Sequence, residues 1–193
     1  MLHPMASILS PTNWKALPEM ECTKRRGSLN DVEAALDFAL SQPGVQQVAA
    51  WGGSMGGAVS LMAGAQRTEI QAIVADSSFT SLEDEMAVMV KLPLLRPLIR
   101  FFAETEAGAN ISAVSPVEKI AQISPRPVMI IAGENDQSIP AQSGQRLYAA
   151  AQEPRTLWVV PEVGHMGGFW RFPQQYEQRV IQFYRNALSI PPQ

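Results

Sequence analysis

Residues 47–64 read QVAAWGGSMGGAVSLMAG and set five glycines within thirteen positions around one serine, Ser54. Each glycine costs about 1 kcal/mol against alanine inside a helix, so the stretch suits neither a regular helix nor a regular strand. It suits a sharp change of direction between the two. An apolar run ends at Trp51 and a small-residue apolar run starts at Ala58. Between them, GGSMG at 52–56 matches G-x-S-x-G at the junction of a strand and a helix, where that pattern forms a nucleophile elbow. The serine then occupies a strained turn with its hydroxyl raised above the sheet, and glycines flank it because side chains would collide with the adjoining strand and helix. The competing reading is a glycine-rich phosphate turn opening a dinucleotide-binding unit. Its G-x-G-x-x-G spacing fits only loosely, and no acid stands about 20 residues on to hold a ribose.

The rest of the chain alternates short apolar runs with amphipathic ones. Asn30 and Glu33 fit a helix N-cap pair. Val32, Ala35, Leu36, Ala39 and Leu40 then form one apolar helix face, ended by Pro43-Gly44. Strands are predicted at 45–51, 70–75, 128–132 and 157–160, and helices at 58–66, 115–123, 141–152 and 174–188. The strands are apolar throughout rather than alternating, as in a parallel sheet covered on both faces. The expected fold class is therefore α/β, a doubly wound, mostly parallel sheet. Residues 1–28, punctuated by Pro4, Pro11 and Pro18, show no strand or helix pattern and read as an irregular leader ahead of a core at 29–193. Residues 82–112 carry Met86, Met89, Leu92, Leu94, Phe101 and Phe102, with Pro93 and Pro97 breaking the helical pattern. They read either as a cap-like helical insertion with an apolar pocket or as a helix pair packed on the sheet.

A serine hydroxyl is a poor nucleophile without a base. His165, in VVPEVGHMGGFW, is the one histidine in the patterned part of the chain and follows the last strand on a glycine-flanked loop. Its orienting acid is expected to be Asp136, in VMIIAGENDQSIP, just past another strand. In open α/β sheets, ligand-facing groups gather at the strands' carboxyl ends. Ser54, Asp136 and His165 all stand at such ends, in that order. Asp76 stands at a strand tip too and is a rival for the acid. Glu134 lies nearer its strand and reads as loop surface.

Composition narrows the classes further. Charged residues are 17% and the net charge is −3, with one short basic cluster at 24–26, so nucleic acid is not an expected partner. One cysteine, Cys22, excludes an internal disulfide framework and suits a reducing compartment. Two histidines, His3 and His165, without a Cys/His cluster, give no zinc site of ordinary composition. No apolar run reaches the ~20 residues that cross a bilayer, and the N-terminus lacks a signal-peptide pattern. The location expected from these features is cytoplasmic.

Four segments together, GGSMGG, IVADSSF, SPVEKIAQISPRPVMIIAGENDQSIP and PEVGHMGGF, agree in order and spacing with the α/β-hydrolases. More narrowly, residues 30–188 resemble the bacterial serine hydrolases related to prolyl oligopeptidase and serine aminopeptidase domains. The resemblance implies a Ser-His-Asp triad of Ser54, His165 and Asp136, with the Met55 amide in the oxyanion hole and no cofactor. It also implies cleavage of an ester, thioester or amide in a small-molecule or peptide acyl substrate through an acyl-enzyme. One departure stands out. Only 53 residues precede Ser54, and no H-G-G-type segment supplies a second oxyanion donor. Loss of one such donor costs about 10²–10³ in rate. The expectation is an N-terminally truncated hydrolase whose first core strand is an exposed apolar edge open to self-association. The alternative is a catalytically weak or inert remnant serving as a binding or assembly module.

Overall fold

The computed structural model describes residues 6–9, 28–45, 47–106 and 110–189. Cys22, His3 and the basic cluster at 24–26 lie outside them. Five strands form one sheet in sequential order: β1 (Ala6–Leu9), β2 (Val48–Gly53), β3 (Ile70–Asp76), β4 (Val128–Gly133) and β5 (Arg155–Val160). β2 to β5 are mutually parallel. They are the runs of Val, Ile and Ala that the sequence marks, and in β4 every side chain is buried. β5, at the edge, alternates: Trp158 and Val160 are buried while Leu157 and Val159 are half-buried.

The helices cover both faces. On one side lie α1 (Ser28–Ser41), α2 (Met55–Gln66), α5 (Pro116–Lys119) with the 3-10 turn Ile120–Ile123, and α6 (Ala141–Ala150). Their Leu36, Leu61, Ile123 and Leu147 pack with Ile73 and Ile130 of the sheet. Burial of side chains of this size stabilises the fold by about 1.5–3 kcal/mol each. On the other side α8 (Pro173–Ala187) lays Tyr176 and Tyr184 against Ala49, Val74, Ile131 and Trp158. The fully buried Tyr184 hydroxyl donates to the Ala50 carbonyl at 2.8 Å, so its polar atom is satisfied. Arg126 closes the far end of α2: its guanidinium donates to the carbonyls of Gly64, Arg67 and Ile70 at 2.7–2.9 Å. A cation there meets the negative end of the helix and its unpaired carbonyls.

Three expectations need correction. The leader at 1–28 contains a strand, β1, antiparallel to β2 with Ala6 opposite Gly52 and Leu9 opposite Ala49. Four residues between two prolines are too few to show a period, which is why the strand is not legible in the sequence. β2 is consequently not the free sheet edge; β1 occupies that side. Helix α1 starts at Ser28, so Asn30 lies inside its first turn rather than capping it. In the 82–112 segment, α3 (Leu82–Met89) and α4 (Arg96–Glu106) are separated at 90–95. Pro97 does not break α4, because a proline in a first helical turn removes an amide that has no intrahelical acceptor. No side chain of α3 is fully buried, and Met89, Leu94 and Phe101 are exposed. A further short helix, α7 (Gly167–Arg171), follows His165.

The whole arrangement turns on the approach of β2 to α2. A Cβ on Gly52 would stand 2.2 Å from the carbonyl oxygen of Gly56, a backbone atom that cannot swing aside. Gly52→Ala is expected to lower stability by about 3 kcal/mol, the upper end for an overpacked site, read as a lower urea midpoint with an unchanged m-value.

Candidate active site

Ser54 sits between the last residue of β2 and the first of α2, with φ 55° and ψ −122°. A non-glycine residue pays for that backbone conformation, a strain of about 1–3 kcal/mol. The surroundings hold it: the Ser54 amide donates to the Asp76 carbonyl at 2.8 Å, and the Ser54 carbonyl accepts the Gly57 amide at 3.0 Å. The turn lifts the hydroxyl toward the carboxyl ends of the strands. Met55 opens α2, so its amide is one of the first-turn donors without an intrahelical acceptor.

Two further loops converge on this point. After β4, the chain turns through Glu134 and Asn135, whose amides donate to the carbonyls of Val160 and Val163 at 2.9 Å. After β5, the loop passes so close that a Cβ on Gly133 would meet the Gly164 carbonyl at 2.5 Å. That contact brings Asp136 beside His165. Asp136 Oδ2 lies 2.7 Å from His165 Nδ1, and His165 Nε2 lies 3.0 Å from Ser54 Oγ. The Asp136 carboxylate is fully buried. Its other oxygen accepts the amides of Ser138 and Ile139 at 2.8 and 2.9 Å, so both oxygens are occupied and the group is held in one orientation. With Nδ1–H donated to that carboxylate, Nε2 is left to accept a hydrogen bond from the Ser54 hydroxyl.

The other acids take different places. Asp76 is buried at the tip of β3 and accepts the Tyr176 hydroxyl at 2.8 Å and the Ser77 hydroxyl at 3.0 Å rather than the imidazole. Glu134 is exposed and accepts the Glu162 amide at 3.0 Å. Residues 10–27 are outside those described. Among the described residues no group of three or more His, Cys, Asp or Glu is placed to hold a metal ion. No helix among them is long and apolar enough to cross a membrane.

The sequence signature of the prolyl oligopeptidase family matches residues 20–190. The chain belongs to the prolyl oligopeptidase family. Among its relatives, the uncharacterized protein YfhR of Salmonella typhi is 30% identical over 192 residues, covering 92% of this chain and 61% of that protein. An uncharacterized Mycobacterium tuberculosis protein is 36% identical over 143 residues, covering 72% of this chain and 46% of its own length. The chain thus spans about half to three-fifths of these two relatives. Among solved structures, an esterase from Pyrococcus furiosus superposes with a TM-score of 0.65 at 22% identity, covering 90% of this chain and 66% of that one. The α/β-hydrolase GrgF from a Penicillium species gives 0.66 at 16%, covering 89% and 76%. The fold is that of the α/β-hydrolases, with helices flanking a parallel sheet.

In this family member the electrostatics of the imidazole are set by three carboxylates. The hydrogen bond that His165 donates to Asp136 raises the His165 pKa above the ordinary 6.5; burial opposes it, and the charges of Asp136, Asp76 and Glu85 add to the rise. Glu85, on α3, has its own carboxyl raised by burial, with His165 drawing it down and Asp136 pushing it up. Helix α3 therefore contributes an acid to the field around His165, and nothing in the residue pattern of LEDEMAVM marks which of its acids does so.

The sign of the pH dependence follows. An imidazole must be neutral to accept a proton, so if His165 serves as a base, kcat/KM rises with pH through an apparent pKa above 6.5. Glu85→Gln removes a charge that favours the imidazolium, and the acid limb should move to lower pH. The stability that His165 contributes through its charged form is complete below 6.5 and is lost as pH rises through the raised value. A pH–rate profile of wild type and Glu85→Gln on an activated ester checks both the limb and its shift.

Proposed function

We propose that the chain is a serine hydrolase that cleaves an ester, thioester or amide bond through an acyl-enzyme. The observation that supports this most is the continuous hydrogen-bonded path from the Ser54 hydroxyl through both nitrogens of His165 to the buried Asp136. In this reading Ser54 Oγ bonds to the acyl carbon as His165 Nε2 takes its proton. The Met55 amide, at the positive end of α2, donates to the oxyanion. The tetrahedral intermediate collapses as the bond to the leaving group breaks, and His165 returns the proton to that group. Water then repeats the two steps, with His165 again as base, and releases the acid and free Ser54. Asp136 holds the tautomer and stabilises the imidazolium. The Pyrococcus furiosus neighbour is an esterase, which makes esters the first substrates to try.

Two measurements test the proposal. A fluorophosphonate probe should label wild type and not Ser54→Ala. A folded wild type that resists labelling would sink the enzymatic reading and leave the inert binding or assembly module. Asp136→Asn should lower kcat on a p-nitrophenyl ester by roughly 10⁴, since an asparagine presents the wrong partner to Nδ1. Asp76→Asn should cost far less; the opposite ranking would reassign the acid.

A further inference from the structure

Three non-glycine residues around the site have φ between 51° and 55°: Ser54, Ser77 and Met166. Ser54 is strained by the elbow. Ser77 follows β3 directly, and Met166 lies in the turn that the Gly167 amide closes on the Gly164 carbonyl at 3.0 Å; each is held in a region that glycine enters freely. They touch each other. The Met166 amide donates to Ser77 Oγ at 3.1 Å, and Ser77 Oγ donates to Asp76 Oδ1 at 3.0 Å. The second Asp76 oxygen accepts the Tyr176 hydroxyl at 2.8 Å, and that hydroxyl accepts the Trp51 indole N–H at 3.0 Å. One chain of four hydrogen bonds thus runs from β2 through α8 and the tip of β3 to the residue after His165. The backbone joins it at two points: the Asp76 carbonyl accepts the Ser54 amide, and the Ser77 amide donates to the Ile131 carbonyl, both at 2.8 Å. On the same side, the Met166 side chain lies over Gly53, where a Cβ would stand 2.2 Å from its terminal methyl.

A glycine at 77 would relieve the strain and abolish the hydroxyl. The serine hydroxyl makes two bonds there, one of them to the loop that carries the imidazole. Resting on the hydrolase reading above, we propose that Ser77, oriented by Asp76, Tyr176 and Trp51, is a positioning residue that holds the Met166 amide and thereby sets His165 against Ser54. Asp76 is then the anchor of a second, buried carboxylate array that fixes where the imidazole stands, while Asp136 fixes how it is turned. The serine and the histidine share this anchor, since the Asp76 carbonyl holds the Ser54 amide while its carboxylate, through Ser77, holds the histidine loop.

The test uses the intact chain with Ser77→Ala, Ser77→Gly and Tyr176→Phe. Active sites are titrated with a fluorophosphonate, and kcat and KM for p-nitrophenyl acetate are referred to the titrated sites. Displacement of a reacting group by about 1 Å costs on the order of 10² in rate. Both Ser77 variants are expected to lose about 10-fold to 10²-fold in kcat per titrated site, with KM within about twofold of wild type. Tyr176→Phe should lose less in the same parameter. A purely structural role would instead lower the fraction of titratable sites and the melting temperature, leaving kcat per site as in wild type; that result overturns the proposal. Ser77→Gly guards against a folding defect, because it removes the strain together with the hydroxyl. If wild type labels and turns over while the Ser77 variants match it, this inference alone fails. If wild type does not label, both it and the hydrolase reading fail.

Discussion

The contact between Gly52 and the Gly56 carbonyl decides the geometry of this protein. It lets β2 run into α2 with a single residue between them, and that residue is forced into a backbone conformation serine does not choose. A strand and a helix joined so tightly must pack as one unit, so α2 lies on β2 and β3 and its N-terminus points past the strand ends. Everything chemically distinctive follows from that placement: a raised hydroxyl, a free first-turn amide beside it, and a helix whose positive end faces the space above the sheet.

Strain of this kind persists only where its neighbours over-determine it. Here they do so by parallel packing. The strands of a parallel sheet all end on the same side, and each is followed by a loop that crosses the same edge. The loop after β3 is tied to β4 through Ser77 to Ile131, and the loop after β4 is tied to the end of β5 through Glu134 to Val160 and to the loop beyond it through Asn135 to Val163. A group of polar side chains placed on such loops is held at fixed distances although its members are up to 111 residues apart in sequence. The energetic support lies in the two apolar layers beneath, where Ile73 and Ile130 face one set of helices and Val74 and Ile131 face α8.

Much of this was legible beforehand. The four parallel strands and the principal helices coincide with runs whose apolar content and length allow little else. Element ends moved: α2 begins at Met55 rather than Ala58, because glycines at 56 and 57 look like loop until the turn they serve is seen. β1 is not legible because four residues carry no period. Candidate residues at strand tips could be named from order alone. Their selection could not, because Asp76 and Asp136 both follow apolar strands. What separates them is spatial: Asp136 faces the imidazole at 2.7 Å, and Asp76 is enclosed by hydroxyls from Ser77 and from Tyr176, 100 residues away.

By itself, the sequence determined the class of fold and the elbow, since glycine spacing and apolar periodicity act over a few residues and are read directly. It also determined that a serine, a histidine and acids would stand at strand ends, because a parallel sheet leaves no other place for them. The tertiary structure decided which acid meets the histidine, which hydroxyls bury the other, and that an acid of α3 shares the field of the site. Those are matters of distance between loops that no local pattern records. Loop packing set them, through backbone approaches such as that of Gly133 to Gly164.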